Sequence, residues 1–253
     1  MFVKGSLPKM KALILAGGKG KRLGSDITLI PKVMRKAKGI PLLGYVLDYT
    51  DFIKKEDKVI LVGYQKQVVM DAYPEYTYAV QEEQKGTGHA VMCAEECFKG
   101  YDGPLLVING DMPLLRKESV LALAQSHKES GAACTLLTFV AKGDIPPFGH
   151  IVRNSDGTVA GIVEHKDATE EQKKIPELNG GIYMFDSVKL FESLARITPS
   201  PVTGEYYLTD VPKLMIASGN RVETYILPDE RELAGVNTEE DLAEVEKILG
   251  GTV

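Results

Sequence analysis

The sequence predicts an α/β fold in which a doubly wound, largely parallel sheet is followed by a more antiparallel second half. Three observations lead to this prediction. Short apolar runs alternate with helical patterns through the first half of the 253 residues, the first run ends at a Gly-Gly pair, and strand-like segments separated by loops follow Ala132. Alternating strands and helices with right-handed crossovers place helices on both faces of a parallel sheet.

The first half of the chain contains four expected strands and four expected helices. Each expected strand is a short apolar run bounded by loop residues, as buried parallel strands are. The strands are expected at Lys11–Leu15, Lys58–Val62, Thr77–Val80 and Pro104–Ile108. The helices are expected at Leu42–Lys54, Gln65–Ala72, Gly88–Cys97 and Lys117–Ser130.

The second half contains shorter strands and one well-delimited helix. The strands are expected at Ala132–Val140, Ile151–Arg153, Val159–Val163 and Gly181–Phe185. Loops are expected at Pro146-Pro147, at Asp156-Gly157 and over the charged residues 166–174. The closing helix is expected at Glu239–Leu249, because Thr238 and Asp241 resemble a capping box and Gly250-Gly251 is a stop signal.

The chain shows no internal repeat, low-complexity tract or linker. We therefore expect residues 1–9 to be an N-terminal extension and residues 10–253 to form one domain. The formal net charge is -5 and the lysines and arginines are dispersed, which argues against a nucleic-acid partner. No apolar run has the length of a signal peptide or membrane span, so the sequence predicts a soluble cytoplasmic protein with no membrane partner. It does not indicate an oligomeric state.

Three cysteines, Cys93, Cys97 and Cys134, are too few and odd in number for a disulfide framework, and they fit a reducing compartment. His89, Cys93 and Cys97 would share a helix face, which is the one arrangement that suggests a soft metal. A structural zinc site needs a fourth ligand, whereas buried free cysteines are common, so packing is the favoured interpretation.

The loop after the first expected strand is a candidate phosphate site, because ligands of open α/β sheets bind at the carboxyl ends of the strands. Its glycines would let backbone N–H groups approach phosphate oxygens, and its cations would neutralise them. The loop contains Gly17, Gly18, Lys19, Gly20, Lys21 and Arg22. Its spacing is neither that of a P-loop nor that of a dinucleotide-binding loop, so a structural turn is equally compatible with the loop alone.

Together with later segments, this loop resembles the signature of the sugar-1-phosphate nucleotidyltransferases, also called nucleotide-sugar pyrophosphorylases. The segments are LAGGKGKR at 15–22, Pro31-Lys32, QEEQKGTGHA at 81–90, GDMPL at 110–114, VEHKDAT at 163–169, GEYYLTD at 204–210 and GVN at 235–237. From Met10 to about Leu249 they are similar to the uridyltransferase domain of bifunctional N-acetylglucosamine-1-phosphate uridyltransferase. The sequence lacks the hexapeptide repeats of the acetyltransferase domain, so no acetyltransferase activity is expected.

The resemblance implies a Rossmann-like three-layer α/β/α nucleotidyltransferase fold of the nucleotide-diphospho-sugar transferase type, with a mixed sheet and a smaller sugar-binding lobe. The nucleotide-binding part would span about 10–130, the sugar-binding part about 131–236 and the C-terminal helix about 238–249. The implied reaction couples UTP and N-acetylglucosamine 1-phosphate to UDP-N-acetylglucosamine and pyrophosphate. An oxygen of the sugar phosphate would attack the α-phosphorus in line, with Mg²⁺ as cofactor.

The resemblance also implies roles for individual residues. Arg22, Lys32 and Asp111 would be catalytic, and Asp111 with Asn237 would hold Mg²⁺, which prefers such hard oxygen ligands. Gln81, Gly86 and Thr87 would contact the uracil, and Gly149, Glu164 and Asn179 would face the sugar. The remaining substrate-binding positions are Leu15, Ala16, Gly17, Gly18, Asn109, Gly110 and Asn237.

Each position also has a structural interpretation. Lys32 and Glu164 fit a solvated surface, Asp111 a strand end, Asn237 the neighbour of a helix cap, and Thr87 with Gly88 a helix start. Residues 205–210 fit either the acyl side of the sugar pocket or packing.

The sequence departs from the family pattern at several positions. Gly17 replaces the usual alanine, Lys21 the usual threonine, Asn109 an aromatic residue and Gly180 a threonine, and Ile27–Ile30 delays Pro31-Lys32 by two residues. These changes concentrate around the phosphates and the sugar.

Three competing functions remain at this stage. One is another sugar-1-phosphate uridylyl- or thymidylyltransferase, for example on glucose 1-phosphate. A glycosyltransferase is a second, although Asp111-Met112-Pro113 offers one carboxylate where an Asp-x-Asp motif is usual. The third is a non-catalytic sugar-nucleotide sensor.

Overall fold

A computed structural model describes residues 9–20, 23 and 29–251. Within these ranges the strands are β1 (Lys11–Ala16), β2 (Lys36–Ala37), β3 (Ile40–Pro41), β4 (Lys58–Val62), β5 (Thr77–Val80), β6 (Pro104–Asn109), β7 (Cys134–Val140), β8 (His150–Arg153), β9 (Val159–Val163), β10 (Glu177–Asp186) and β11 (Val222–Ile226). The α-helices are α1 (Leu42–Tyr49), α2 (Lys66–Ala72), α3 (Thr87–Met92), α4 (Lys117–Ser130), α5 (Ser187–Leu194), α6 (Val211–Ala217) and α7 (Glu239–Leu249).

The main sheet is mixed and contains nine of these strands. Its order is β11-β7-β10-β6-β1-β4-β5, and β8 pairs with both β10 and β9. Strands β6, β1, β4 and β5 are parallel, as the alternation in the first half predicts. Strand β10 runs antiparallel to β6 and β7, and β11 is parallel to β7. The predicted mixed sheet is therefore confirmed.

Apolar clusters cover both faces of this sheet, because successive strand residues point to opposite sides. In β1, Ile14 packs in the cluster that includes Val46 of α1 and Val120 of α4. Its neighbour Leu13 packs in the other cluster, with residues of α3, α5 and α6. The result is the predicted three-layer α/β/α arrangement.

Two expected helices end earlier than the sequence predicts. The helix expected to reach Lys54 ends at Tyr49, where the Thr50 hydroxyl donates to the Val46 carbonyl at 2.6 Å. The helix expected over Gly88–Cys97 ends at Met92 and is followed by a 3-10 turn at Glu95–Phe98. In both cases the apolar pattern continues past the end of the regular helix.

Five strands and α-helices of the described chain were not expected from the sequence: β2, β3, β11, α5 and α6. The start of helix α5 could have been predicted from the sequence, because Asp186 is a favourable N-cap residue. Its carboxylate accepts from the Lys189 backbone N–H at 2.9 Å. Strand β11 lies at the edge of the sheet and is mostly half-buried, so it lacks the continuous apolar run of the central strands.

Strand β10 begins earlier than expected, at Glu177 instead of Gly181, and is interrupted in the middle. Its pairing register with β7 shifts between Asn179 and Ile182. Gly181 adopts a φ of 72°, and a Cβ on Gly180 would lie 2.8 Å from the Leu137 carbonyl oxygen. Glycine is therefore required at this interruption, which places Asn179 beside β8.

Residues 9–20, 23 and 29–251 include no helix with the length and apolarity needed to cross a bilayer.

Candidate functional site

Two adjoining cavities lie at the carboxyl ends of the parallel strands. The loop cavity, of about 360 Å³, is lined by Ala16, Gly17, Gly18, Lys32, Gln81 and Gly86 among others. The hairpin cavity, of about 590 Å³, is bounded by residues that flank the β8–β9 hairpin and includes Gly149, Glu164, Asn179 and Asn237. Leu15, Thr87, Asn109 and Asp111 line both cavities. The fold thus brings most of the sequence-predicted site residues into one continuous cleft.

Close backbone approach shapes the rear of the cleft, where β1 and β6 end side by side. The Gly110 N–H donates to the Leu15 carbonyl at 2.9 Å, and a Cβ on Gly110 would lie 3.1 Å from Val33 Cγ1. Gly110 therefore lies beside the cleft, and its backbone connects the ends of β1 and β6. A Cβ on Gly17 would lie 3.3 Å from Gln81 Oε1, so the glycine keeps the space in front of that oxygen open.

The predicted catalytic residue Arg22 lies outside the described residues, as do Lys21 and Ile27. Their roles stay predictions.

Lys32, Asp111 and Asn237 meet where the cavities join. The Lys32 ammonium forms an ion pair with Asp111 Oδ2 and donates to Asn237 Oδ1 at 2.7 Å. The Lys32 and Asp111 side chains are only 16% and 18% exposed, so this pair lies within the cleft and is not a solvated surface contact. Three residues that are distant in the sequence therefore form one polar cluster.

The donor set of this cluster suits Mg²⁺. The Asp111 carboxylate and the Asn237 amide oxygen already converge on one cationic group, the Lys32 ammonium. Both are hard oxygen ligands, and two protein ligands leave coordination positions for water and phosphate, as Mg²⁺ commonly requires.

The start of α7 fixes the position of Asn237. Thr238 caps the helix, and the predicted capping box with Asp241 is present. The Asp241 carboxylate also accepts from the Asn237 backbone N–H at 2.8 Å, and the Val236 N–H donates to the Asp111 carbonyl at 3.1 Å. These bonds hold residues 236–238 against the end of β6.

Residues 204–210 form hydrogen bonds with the segment that contains Gly86 and Thr87. The Gly88 N–H donates to the Tyr206 carbonyl at 2.8 Å, and the Leu208 N–H donates to the Thr87 hydroxyl at 3.0 Å. Thr87 therefore binds a separate segment and does not cap α3, whose N-cap Gly86 makes no side-chain bond. A Cβ on Gly86 would lie 2.4 Å from the Tyr206 carbonyl oxygen, so this contact requires glycine.

Glu164 is a largely buried carboxylate in the hairpin cavity. The Thr209 hydroxyl donates to Glu164 Oε1 at 2.7 Å. Burial raises the pKa of Glu164 above its ordinary value, the Thr209 hydrogen bond opposes this, and the carboxylates of Asp167 and Asp210 raise it further. Glu164 is thus a polar acceptor inside the cleft and not the exposed strand-end residue of the alternative interpretation.

Asn179 and Asn109 present amides to the same cavity. The Asn179 amide donates to the Tyr183 hydroxyl at 2.7 Å and accepts from the Gly181 N–H at 3.2 Å, which fixes its plane. The Asn109 amide donates to the Gly181 carbonyl at 3.4 Å. The tight turn at Gly180-Gly181 therefore faces the Asn109 side chain. Two of the positions that depart from the family pattern, 109 and 180, are thus neighbours in the structure.

Sequence reasoning missed several residues of the cleft. Thr209 and Tyr183 hold Glu164 and Asn179, and Phe148 and Leu233 provide apolar walls of the hairpin cavity. Thr209 lies in the recognised 204–210 segment and could have been found there. Phe148 follows a Pro-Pro pair and Tyr183 is a buried strand residue, so neither carries a distinctive signal.

The arrangement of His89, Cys93 and Cys97 differs from a metal site. Cys93 Sγ lies 3.8 Å from His89 Nε2, whereas Cys97 Sγ lies 3.9 Å from the Tyr78 carbonyl oxygen. Over the part of the chain that the structure describes, no group of three or more His, Cys, Asp or Glu side chains has an arrangement that could hold a metal ion.

Comparisons with known proteins identify a matching family and several relatives of this chain. A family model described as nucleotidyl transferase matches residues 11–232. The chain is 43% identical over 242 residues to the bifunctional protein GlmU of Streptococcus equi subsp. zooepidemicus, covering 95% of this chain and 52% of that protein. It is 40% identical over 242 residues to the bifunctional protein GlmU of Geobacillus thermodenitrificans, with the same coverage. The chain spans about half the length of these curated relatives.

Two solved structures share the fold. A UDP-glucose pyrophosphorylase complexed with UDP-glucose aligns with a TM-score of 0.74 at 17% identity, over 96% of this chain and 99% of that one. A putative glucose-1-phosphate thymidylyltransferase from Bacillus anthracis, in complex with a sucrose, aligns with a TM-score of 0.72 at 21% identity, over 94% of each chain.

Proposed function

The chain belongs to the nucleotidyl transferase family, and from this premise we propose that it couples UTP to N-acetylglucosamine 1-phosphate, releasing pyrophosphate and forming UDP-N-acetylglucosamine. The observation that carries the proposal is the junction of two cavities at Asp111. A nucleotide in the loop cavity and a sugar phosphate in the hairpin cavity would meet there. Bringing two reactants together in this way removes much of the entropic barrier to their reaction.

The loop cavity suits the nucleoside triphosphate. Gly17 and Gly18 leave room for phosphate oxygens near the backbone, and Lys32 supplies a cation at the inner end of the same cavity. Gln81 offers an amide to the edge of a base, since an amide carries both donors and an acceptor. Arg22 is proposed to add positive charge beside the phosphates.

The reaction would proceed by direct substitution at the α-phosphorus. An oxygen of the sugar phosphate forms the new P–O bond, and the bond from the α-phosphorus to the bridging oxygen breaks as pyrophosphate leaves. Lys32 would turn from Asp111 towards a phosphate oxygen and stabilise the charge that develops during transfer. No covalent intermediate with the protein is needed.

Asp111 and Asn237 are proposed to hold Mg²⁺ between the two substrates. When bound, this ion would neutralise phosphate charge and orient the reacting groups. The Asp241 carboxylate holds the Asn237 backbone, and the Asn237 amide oxygen contacts the same Lys32 ammonium as Asp111.

The hairpin cavity suits the sugar. Glu164 can accept hydrogen bonds from sugar hydroxyls, and Asn179 can donate its second amide hydrogen. Gly149 lies next to Glu164 and allows close packing on β9, because a Cβ there would lie 2.9 Å from Ile162 Cγ2 and 3.7 Å from Glu164 Oε2. The identity with GlmU proteins over 95% of the chain supports N-acetylglucosamine 1-phosphate as the partner. Action in the cytoplasm is part of this proposal.

The test is a pyrophosphate-release assay with Mg²⁺ over a panel of nucleoside triphosphates and sugar 1-phosphates. We expect the highest kcat/KM with UTP and N-acetylglucosamine 1-phosphate. A preference for glucose 1-phosphate or dTTP would correct the substrate and retain the reaction. Binding of UDP-sugars without pyrophosphate release from any pair would contradict the proposal and indicate a sensor.

A further inference from the structure

The Gln81 amide is held in one orientation by two acceptors. Gln81 is 4% exposed, and its Nε2 lies 3.1 Å from the Gly86 carbonyl oxygen and 3.0 Å from His89 Nδ1. A carbonyl oxygen only accepts, so the amide nitrogen and not the amide oxygen must face Gly86. The Gly86 carbonyl thus identifies the amide nitrogen, and the two contacts together hold the amide in this orientation.

The same contact fixes the state of His89. Because the Gln81 nitrogen donates, His89 Nδ1 must accept, and the imidazole proton must lie on Nε2. His89 Nε2 lies 3.8 Å from Cys93 Sγ, which is a weak acceptor. The imidazole is packed beside the Tyr206 ring, with the ring centroids 6.4 Å apart. His89 is thus a hydrogen-bond acceptor for Gln81, and Gln81 in turn lines the loop cavity.

With both amide hydrogens engaged, Gln81 offers its oxygen to the cavity. Among the described residues, none donates a hydrogen bond to Gln81 Oε1. This oxygen faces Gly17, where a Cβ would lie 3.3 Å away, and Gln81 lines the loop cavity. The departure to glycine at position 17 therefore opens space in front of an acceptor that lacks a partner within the described chain.

We infer that His89 is a positioning residue that selects the nucleobase through Gln81. A base that places an N–H against Gln81 Oε1, as uracil and thymine do with N3–H, satisfies the acceptor. Cytosine places an unprotonated N3 there, so two acceptors would face each other and binding would weaken. The inference rests on the proposed function for the nucleotide in the loop cavity.

The test compares equilibrium binding of UTP and CTP by isothermal titration to wild type, His89→Leu and His89→Asn. Leucine approximates the size of histidine and removes the acceptor, whereas asparagine restores an acceptor oxygen at the position of Nδ1. We expect His89→Leu to reduce the UTP:CTP affinity ratio about tenfold, the loss of one positioning hydrogen bond. His89→Asn should keep the ratio within about threefold of wild type.

A double-mutant cycle tests whether His89 acts through Gln81. Gln81→Leu should reduce the ratio on its own, and adding His89→Leu should change it no further. An unchanged ratio in His89→Leu, an equal reduction in His89→Asn, or a further reduction in the double variant would each overturn the inference. Circular dichroism and Tm of each variant verify folding.

The binding measurement also separates this inference from the proposed function. Wild type that discriminates UTP from CTP but releases no pyrophosphate would leave the role of His89 intact and contradict the catalytic proposal. Wild type that shows no preference between the two nucleotides would overturn the role of His89 even if pyrophosphate is released.

Discussion

Lys32 has an environment unlike that of a solvated surface lysine. It sits between Asp111 and Asn237 at the junction of the cavities, where a cation neutralises the carboxylate. In the proposed reaction, the same ammonium would contact phosphate oxygens once Mg²⁺ takes its place beside Asp111.

We predict that Lys32→Met lowers kcat for pyrophosphate release by about 10²- to 10³-fold, the usual effect of removing one preorganised charge in a transition state. Tm should change by only a few degrees, because the pair lies beside a cavity that water can enter. The exposed Lys36 in β2 provides a matched control, and Lys36→Met should keep wild-type kcat. Equal kcat in both variants would contradict the role given to Lys32.

Glu164 connects substrate binding to pH. Burial raises its folded-state pKa, so the folded chain binds this proton more tightly than the unfolded chain does. The stability that this group contributes is present below the ordinary carboxyl range, about pH 4.3, and is lost as the pH rises through the raised pKa. Glu164 therefore contributes less stability at neutral pH than in acid, and the Thr209 hydrogen bond offsets part of this loss.

Glu164→Gln should raise Tm at neutral pH and have little effect on Tm near pH 4, as measured by thermal melts across this range. Glutamine can still accept from Thr209 but offers the sugar a weaker acceptor, so KM for the sugar phosphate should rise about tenfold. KM for UTP should not change. A variant whose Tm advantage shrinks as the pH rises would have the opposite linkage and contradict this assignment.

At the scale of elements, Glu232 joins the segment before Asn237 to helix α4. Its carboxylate is 4% exposed and accepts from the Arg116 backbone N–H at 3.0 Å, from Arg116 Nε at 2.7 Å and from the Ser119 hydroxyl at 2.6 Å. It therefore supplies the N-terminal acceptor that α4 lacks locally, since Arg116 makes no side-chain cap.

Glu232→Ala should destabilise the chain by about 1–3 kcal/mol, because it removes the acceptor of the Arg116 backbone N–H and of the buried Ser119 hydroxyl. The Arg116 guanidinium adds little, since its side chain is 59% exposed and also lies 3.7 Å from Asp229. For a domain of this size each kcal/mol corresponds to about 2–4 °C in Tm. Glu230→Ala, two residues earlier, is the matched control and should shift Tm by no more than about 2 °C. Urea unfolding of both variants measures the difference, and equal midpoints would refute the structural role of Glu232.

The sequence predicted those elements whose ends carry local chemistry. Helix α4 has its predicted bounds, and Gly131, at φ 61°, follows its last residue. Helix α7 also has its predicted bounds and begins with the predicted capping box. Strands β4, β5 and β9 also match, since each is a short strand-like run bounded by loop residues.

Elements set by distant contacts were harder to predict. The first part of β10 is a strand because His150 of β8 and Thr138 of β7 lie beside it, and nothing within Glu177–Asn179 indicates this. The same holds for the site: motifs predicted Gln81, Asp111 and Asn237, whereas Tyr183 and Phe148 enter the cleft only through tertiary packing. The contact of His89 with Gln81 depends on side-chain geometry that no spacing encodes.

At the scale of the whole molecule, contacts between protein groups connect the residues of the polar cluster. Lys32, the capping box and the backbone bond from Val236 to Asp111 all hold the junction with protein groups alone. Catalysis and folding should therefore respond differently to removal of Mg²⁺.

We predict that a chelator abolishes pyrophosphate release and leaves the Tm of the ligand-free chain within about 2 °C, no more than the shift expected for one kcal/mol. Readdition of Mg²⁺ should restore turnover. Saturating UTP with Mg²⁺, at about 100 times its Kd, should add about 2.7 kcal/mol of stability. Differential scanning fluorimetry with and without chelator measures both effects, and unfolding on chelation alone would contradict the proposed arrangement.

The position of β10 in the sheet has a consequence for how the chain is made. Strand β6 lies between β1 and β10, yet β10 begins about 70 residues after β6 ends. At ribosomal rates of about 5–20 residues per second, the apolar edge of β6 waits roughly 4 to 14 s for its partner. Unpaired strand edges promote aggregation. We therefore expect the nascent chain to be most prone to aggregation during this interval. A chaperone that binds the emerging N-terminal half on the ribosome would then have its greatest effect on the yield of folded protein.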